Sequence, residues 1–164
     1  MNIIAIIIAA CVPMLIGSIW YNPKVFGGIW MREIGIDPDS IKDQSPNMLK
    51  LFLLAFLFAF MIALMINPMV IHQSGISSLL EGMPEAKGAK IELLVNGKSI
   101  AYEHLFRTFK HGAFHGFICG LFFALPIIGT HALFENRSFK FMAIHASYWM
   151  LSMMIMGGII CTWQ

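Results

Sequence analysis

Two histidines, His111 and His115, lie four residues apart at the start of an apolar stretch. On a helix this spacing places both imidazole rings on one face, where they could bind the same metal ion. The glutamate that serves as general base in the HExxH motif of metalloproteases is missing between them. Contact with water or lipid headgroups explains the pair more simply. We therefore predict no metal ion and keep the two histidines as secondary candidates.

A second polar group combines residues from two later apolar stretches. Its members are Thr130, His131, His145, Ser147 and Ser152. Ionisable side chains inside a membrane usually face the interior of a helix bundle or a hydrated cavity. These residues could therefore line a path for an ion or a small solute between the last two helices. Ordinary hydrogen bonding between helices accounts for them equally well, and the sequence does not decide between the two.

Sulfur-bearing side chains form a third pattern, in which Met61, Met65 and Met69 recur every fourth residue. Thioethers of this kind, together with Cys119 and a histidine, could bind copper(I). Methionine also fills irregular gaps between apolar surfaces, and this spacing is that of ordinary helix packing. We favour packing, and we expect no cofactor.

The chain lacks the residue sets that usually carry catalysis. Every Asp and Glu lies outside the long apolar stretches, and no phosphate-binding glycine loop or Ser/His/Asp combination can be assembled. The sequence therefore predicts that the protein is not an enzyme. The net charge of +2, without any dense Lys/Arg cluster, also argues against a nucleic-acid partner. The three cysteines have no CxxC spacing and predict neither a disulfide framework nor a zinc ribbon.

The elements that carry these residues follow from the distribution of charge. Hydrophobic residues make up 58% of the 164-residue chain and charged residues only 12%. Four segments contain no charged residue, namely 1–23, 51–80, 111–134 and 141–164. Each exceeds the roughly 20 apolar residues that cross a bilayer. The sequence predicts an all-α integral membrane protein, a single domain over residues 1–164, with helices at about 3–21, 48–71, 111–134 and 141–162.

The loop at residues 72–110 is the one with room for structure of its own. Two runs of β-prone residues flank Asn96-Gly97, a pair that tolerates positive φ as a tight hairpin requires. We predict a small β-hairpin in this loop. At the ends of the helices, aromatic side chains are expected to anchor the protein at the membrane surface, and these are Trp20, Tyr21, Trp30 and Trp163.

Gly112, Gly116 and Gly120 form a GxxxGxxxG series at the start of the third apolar segment. Glycines at this spacing let another helix approach closely, whether in the same chain or in a second copy. Because a bundle of four helices is thin, we predict a structural or interaction protein that acts as a homo-oligomer. The alternative is a channel or carrier that uses the polar path, and a soluble partner or substrate cannot be named.

Lysine and arginine counts predict the orientation in the membrane. The loop at 72–110 holds five of these residues and the other two loops together hold six, two of them in the short link 135–140. The positive-inside rule then places the first and third loops in the cytoplasm and both termini outside. We expect the membrane to be a bacterial inner membrane.

Two motifs connect the sequence with a known family. Trp20-Tyr21-Asn22-Pro23 is followed by Phe26-Gly27 and Trp30-Met31-Arg32, and a second stretch, 133–140, precedes Ser147-Tyr148-Trp149 and Met156-Gly157-Gly158. In this order they resemble the membrane family called domain of unknown function 1761. The resemblance implies four membrane spans and no catalytic residue. It suggests structural roles for four positions: Trp20 and Trp30 as interface anchors, Pro23 as a helix stop and Arg137 as a topology marker.

Overall fold

The structure is a computed structural model that describes residues 2–36, 47–83, 92–95, 98–101 and 105–163. Four long helical segments are apolar enough to cross a membrane: Ile3–Trp20, Met48–Val70, Phe109–Phe134 and Phe139–Thr162. These helices confirm the four predicted spans and the class of integral membrane protein. Asn96, Gly97 and the segment 37–46 lie outside the described residues.

The first span is helix α1 (Ile3–Trp20), with Pro13 in its middle. The Asn2 side chain caps it by accepting hydrogen bonds from the backbone N–H groups of Ile4 and Ala5. A π-helical turn, Pro23–Gly27, then leads into the short helix α2 (Gly28–Ile34). Helix α2 stops at Gly35, whose φ of 72° is a left-handed conformation suited to glycine. Pro23 therefore begins a new turn and ends α1, as the sequence predicts.

The second span is helix α3 (Met48–Val70), capped by the Asn47 side chain. A nine-residue amphipathic helix, α4 (Gln73–Glu81), follows almost at once. The sequence did not predict α4, which lies at the start of the segment 72–110 that was assigned to a loop after the second span. Further on, two four-residue strands, β1 (Glu92–Val95) and β2 (Lys98–Ala101), pair antiparallel.

The third span consists of helix α5 (Phe109–Cys119), a π-helical turn at Gly120–Ala124 and helix α6 (Leu125–Phe134). The widened turn immediately precedes Pro126, which has no N–H to donate to the preceding turn. The π-helical turn therefore lies next to a proline that cannot complete the ordinary helical hydrogen-bond pattern.

Helix α7 (Phe139–Thr162) is the fourth span and packs against α1, α3, α5 and α6. Its N-terminus is fixed by Ser138, whose side-chain oxygen accepts from the N–H of Phe141 and whose hydroxyl donates to the Glu33 carboxylate. The core where α1, α3 and α7 meet contains Ile6, Ala9, Ala63, Ile66, Val70, Met156 and Ile160. Most other side chains of α3 are exposed and apolar, as expected for a helix that faces lipid.

The glycine series of α5 packs against α7 of the same chain. A Cβ added at Gly112 would overlap the backbone of Gly157, and one added at Gly116 would overlap the carbonyl group of Met153. Gly120 lies against Met150 in the same way. The absence of side chains on this stripe thus brings two backbones of one chain together, and the stripe is covered within the monomer.

Arg107 ties the start of the third span to the end of the fourth. Its Nε donates to the carbonyl oxygen of Cys161 at 2.7 Å, and its Nη2 donates to that of Trp163 at 2.6 Å. These carbonyls belong to the C-terminal end of α7, where a cation also complements the helix dipole.

We expect Arg107→Met, which replaces the aliphatic part of the side chain but removes both hydrogen bonds, to lower the free energy of unfolding by about 2 kcal/mol. Unfolding in detergent by titration with sodium dodecyl sulfate would measure this change. Arg32→Met, in the last turn of α2, is the matched control and should have a smaller effect. Equal losses in the two variants would contradict the capping role.

Candidate functional site

Three histidines converge at the end of the bundle where the second span finishes and the third begins. Helix α3 ends at Val70, Ile71 is extended, and His72 follows directly. On α5, His111 and His115 lie one turn apart, and the Thr108 side chain that caps α5 accepts from the N–H of His111. The ends of two spans thus position the histidine cluster, which is defined as His72, His111 and His115.

The three imidazole rings are in mutual contact. The Nε2 atoms of His72 and His111 are 3.0 Å apart. Ring centroids are separated by 4.9 Å for His72 and His111, 4.8 Å for His72 and His115, and 4.5 Å for His111 and His115. One ring nitrogen from each residue can be chosen so that all three lie within 4.8 Å of one another. This arrangement brings three nitrogen ligands close enough for one ion once the rings turn to shorten the longest separation to ~3.4 Å.

The surroundings hold the histidine cluster in place and leave one side open. His72 is exposed, whereas His111 and His115 are half-buried. The ring of Phe106 stacks on that of His111 with centroids 5.4 Å apart. The Gln73 side-chain amide donates to the carbonyl oxygen of Leu105 at 2.7 Å, which joins the chain after His72 to the segment before α5. Both sides of the cluster are therefore fixed independently of any ion.

The i, i+4 spacing in the sequence indicates two of the three cluster members, His111 and His115, but gives no sign of His72. Its distance from His111 along the chain is 39 residues, and only the position at which α3 ends brings the two together. Imidazole nitrogen is a common ligand for zinc, copper, nickel and iron. Among the described residues the cluster includes no carboxylate or thiol ligand. The arrangement can hold a metal ion. The one feature of the sequence that could have indicated the third ligand is the position of His72 directly after an apolar helix.

The residues of the predicted polar path occupy different surroundings. Thr130 and His131 are exposed on α6, whereas Ser152 on α7 is completely buried. The Ser147 hydroxyl donates to the Ala143 carbonyl oxygen of its own helix at 2.5 Å. In the described part of the chain, neither a hydrogen bond nor a ring contact joins Thr130 or His131 to the other members of the path.

His145 belongs instead to an aromatic group that joins the end of α1 to α7. Its Nδ1 lies 2.8 Å from the Tyr21 hydroxyl. Burial, reinforced by the neighbouring Tyr148, raises the pKa of the Tyr21 phenol, so this hydroxyl stays protonated. The Trp20 indole N–H donates to the Ile144 carbonyl oxygen at 3.1 Å, and the Tyr148 hydroxyl donates to that of Pro13 at 2.9 Å.

The predicted interface anchors are tied to the protein by these contacts. Trp30 lies edge-on to Tyr21 with ring centroids 5.4 Å apart, which joins α2 to the same group. Trp163 follows the last residue of α7 and is partly exposed, and its carbonyl oxygen accepts from Arg107. The aromatic group therefore holds α1, α2 and α7 together at the end of the bundle opposite the histidine cluster. Its members are Trp20, Tyr21, Trp30, His145 and Tyr148.

A groove between α3 and the third span contains the sulfur atoms noticed in the sequence. The Cys119 Sγ atom lies 3.3 Å from the Met69 Sδ atom, with the thiol donating. Met61 and Met65 line the same groove from α3, and Met153 lines it from α7. The methionine series of α3 thus faces the cysteine of α5.

Four apolar helices with a polar cluster at one end define a small integral membrane protein. The family described as Protein of unknown function (DUF1761) matches residues 4–161, nearly the whole chain, and the chain therefore belongs to this family. The resemblance stated from the two motifs is confirmed. No curated protein and no solved structure matches the chain significantly.

Proposed function

We propose that this protein is a membrane carrier that takes up a late first-row transition-metal ion at the histidine cluster. The observation that supports this most directly is the convergence of three imidazoles from two spans, with ring nitrogens within 4.8 Å of one another. A single hydrogen bond accounts for the 3.0 Å contact between His72 and His111, but it does not account for the third ring.

The number of ligands favours an ion that exchanges. Structural zinc sites are closed by four protein ligands, whereas three protein ligands leave a position for water or another ligand. Ligand atoms about 2.1 Å from an ion in tetrahedral geometry are ~3.4 Å apart. The 3.0 Å separation of the two Nε2 atoms is near this value, and the longest separation, up to 4.8 Å, must shorten by about 1.4 Å. An exposed His72 on the rim would let the ion enter and leave from the water phase.

Transfer of the ion fits this site better than hydrolysis. Hydrolytic zinc sites commonly combine the metal with a carboxylate that accepts a proton, although three histidines alone are also a catalytic ligand set. The described members of the cluster are three histidines only. We therefore propose a carrier and not an enzyme. With the first and third loops in the cytoplasm, as the sequence predicts, the cluster would face the outside.

Homo-oligomerisation remains a prediction. The glycine stripe that suggested it is covered by α7 within one chain, so a second copy would have to use the exposed apolar side of α3. Mass measurement of the protein in mild detergent tests this directly, and a single monomeric species would contradict it.

The metal site is tested by titrating the purified protein with Co²⁺ and Zn²⁺ and following the visible absorption of bound Co²⁺. We expect one ion per chain, and we expect His111→Ala and His115→Ala each to weaken binding by about tenfold or more, because each removes one of three ligands. The matched control is His131→Ala, an exposed histidine at the other end of the same span, which should bind like the unchanged protein.

Two results would overturn the proposal. The first is the absence of a saturable Co²⁺ signal in the unchanged protein. The second is an equal loss of affinity in His131→Ala and in the cluster variants, which would mean that scattered histidines bind the ion. His72→Ala provides a further check, since this residue lies outside both spans, and it should weaken Co²⁺ binding as the other two cluster variants do.

A further inference from the structure

The groove between α3 and the third span is open on one side and has a volume of about 350 Å³. Its lining includes five sulfur atoms, from Met61, Met65, Met69, Cys119 and Met153. Within the groove the Cys119 Sγ atom lies 3.3 Å from the Met69 Sδ atom. Sulfur ligands from two different spans therefore meet inside the membrane region.

Core packing does not explain all of these methionines. Methionine is used as a flexible filler where side chains must fill a gap inside a protein. Here the side chains of Met61 and Met65 are 55% and 65% exposed. They therefore fill no core gap, while their spacing keeps them on the side of α3 that carries Met69.

The sulfur residues of the groove are close along the chain to the residues of the histidine cluster. On α5, Cys119 lies one helical turn beyond His115, which itself lies one turn beyond His111. On the other side, Met69 is in the last turn of α3, three residues before His72. On both sides, an imidazole therefore lies nearer the end of the bundle and a sulfur ligand lies further into the span.

We propose that the groove binds copper(I), with Cys119 and Met69 as its first ligands and Met65 as a neighbouring one. The proposal rests on the proposed function in that the histidine cluster serves as the entry to the groove. Thiolate and thioether sulfur select Cu(I) over the harder divalent ions. In a trigonal site with metal–sulfur bonds of about 2.3 Å, two sulfur atoms are ~4 Å apart, so the pair in the structure needs to open by less than about 1 Å.

The charge balance also favours a monovalent ion. The Cys119 thiol releases its proton to the solvent as the copper–sulfur bond forms, and copper remains Cu(I), so no electron is transferred. The thiolate and the ion then carry no net charge together, which suits an apolar groove. A divalent ion bound to the same ligands would leave one uncompensated positive charge inside the span.

The test is an anaerobic titration of the detergent-solubilised protein with Cu(I) held by a competing chromogenic chelator. We expect one Cu(I) in the groove, with affinity reduced about tenfold or more in Cys119→Ser and in Met69→Leu. Matched controls are Cys11→Ser and Met14→Leu, which make the same changes on α1, and both should bind like the unchanged protein. X-ray absorption should show sulfur around copper in the unchanged protein.

The outcomes separate this site from the histidine cluster. The double variant His111→Ala, His115→Ala should lose Co²⁺ binding but keep the sulfur-bound Cu(I). Met69→Leu should weaken Cu(I) binding and leave Co²⁺ binding unchanged. A groove that holds only lipid would give no Cu(I) binding above that of the Cys119→Ser, Met69→Leu double variant, and this result would overturn the proposal. An equal loss of affinity in Met14→Leu would overturn it too. Met69→Leu keeps the size and apolar character of the side chain, so its folding should be unaffected.

Discussion

Gly116→Ala is expected to lower the free energy of unfolding by about 3 kcal/mol, the upper end of the usual cost of overpacking a core. The added Cβ would overlap the carbonyl oxygen of Met153, and it would lie 2.8 Å from that residue's carbonyl carbon and 3.1 Å from the Cα of Met154. All three atoms belong to the backbone of α7, so no side-chain rotation relieves the overlap. The two helices must move apart, which loosens the packing along the whole stripe.

Titration with sodium dodecyl sulfate, followed by the loss of helical circular dichroism, measures this change. Gly75→Ala is the matched control, because an added Cβ there meets no atom within 4 Å and the residue is exposed on helix α4. Alanine should be neutral or slightly stabilising at that position. If the two variants unfold at the same concentration of detergent, the close packing of α5 on α7 is wrong.

The same substitution should also affect metal binding. His111 and His115 are on α5, whereas His72 follows α3, so a displacement of α5 from α7 changes where two of the three imidazoles lie. A cluster whose ligands come from separate elements is sensitive to such shifts. We therefore expect Gly116→Ala to weaken Co²⁺ binding, although it removes no ligand.

The four spans could be predicted because a membrane helix excludes charge, and this chain keeps its charged residues in separate segments. The ends of the helices were predicted less accurately than the spans themselves. The third span begins at Phe109, two residues before the predicted start, because the cap is the Thr108 side chain and Lys110 is accommodated in the first turn. The fourth begins at Phe139 after the Ser138 cap. Charged residues show where the membrane-spanning part of a helix must end. The helix itself can extend further, and the capping hydrogen bonds decide where it begins.

The candidate site could be predicted only in part. The pair His111 and His115 is visible in one helix, because their spacing is set by the helix itself. The contribution of His72 depends on the end of α3, and that of Met69 on which side of α3 faces Cys119. Periodicity shows that residues share a face but does not show what that face meets. In the same way, the glycine spacing predicted close packing, and the structure identifies α7 as the partner.

Gly27→Ala is expected to have an effect of similar size at the opposite end of the bundle, again about 3 kcal/mol. Gly27 is buried at the end of the π-helical turn, where its N–H donates to the Asn22 carbonyl oxygen at 3.0 Å. An added Cβ would overlap the Tyr21 carbonyl oxygen and lie 2.7 Å from that residue's carbonyl carbon and 2.8 Å from the carbonyl carbon of Asn22. The turn therefore cannot form with a side chain at this position.

Opening this turn should displace the contacts that join α1 to α7, since the indole of Trp20 bonds to the Ile144 carbonyl and the hydroxyl of Tyr21 bonds to His145. We expect lower resistance to sodium dodecyl sulfate and a change in tryptophan fluorescence. Gly82→Ala is the control, because its added Cβ would approach nothing closer than 3.5 Å. Metal binding should be retained in Gly27→Ala wherever the protein is folded, because the histidine cluster lies at the other end of the spans. Loss of Co²⁺ binding in folded Gly27→Ala would contradict this separation of the aromatic group from the metal site.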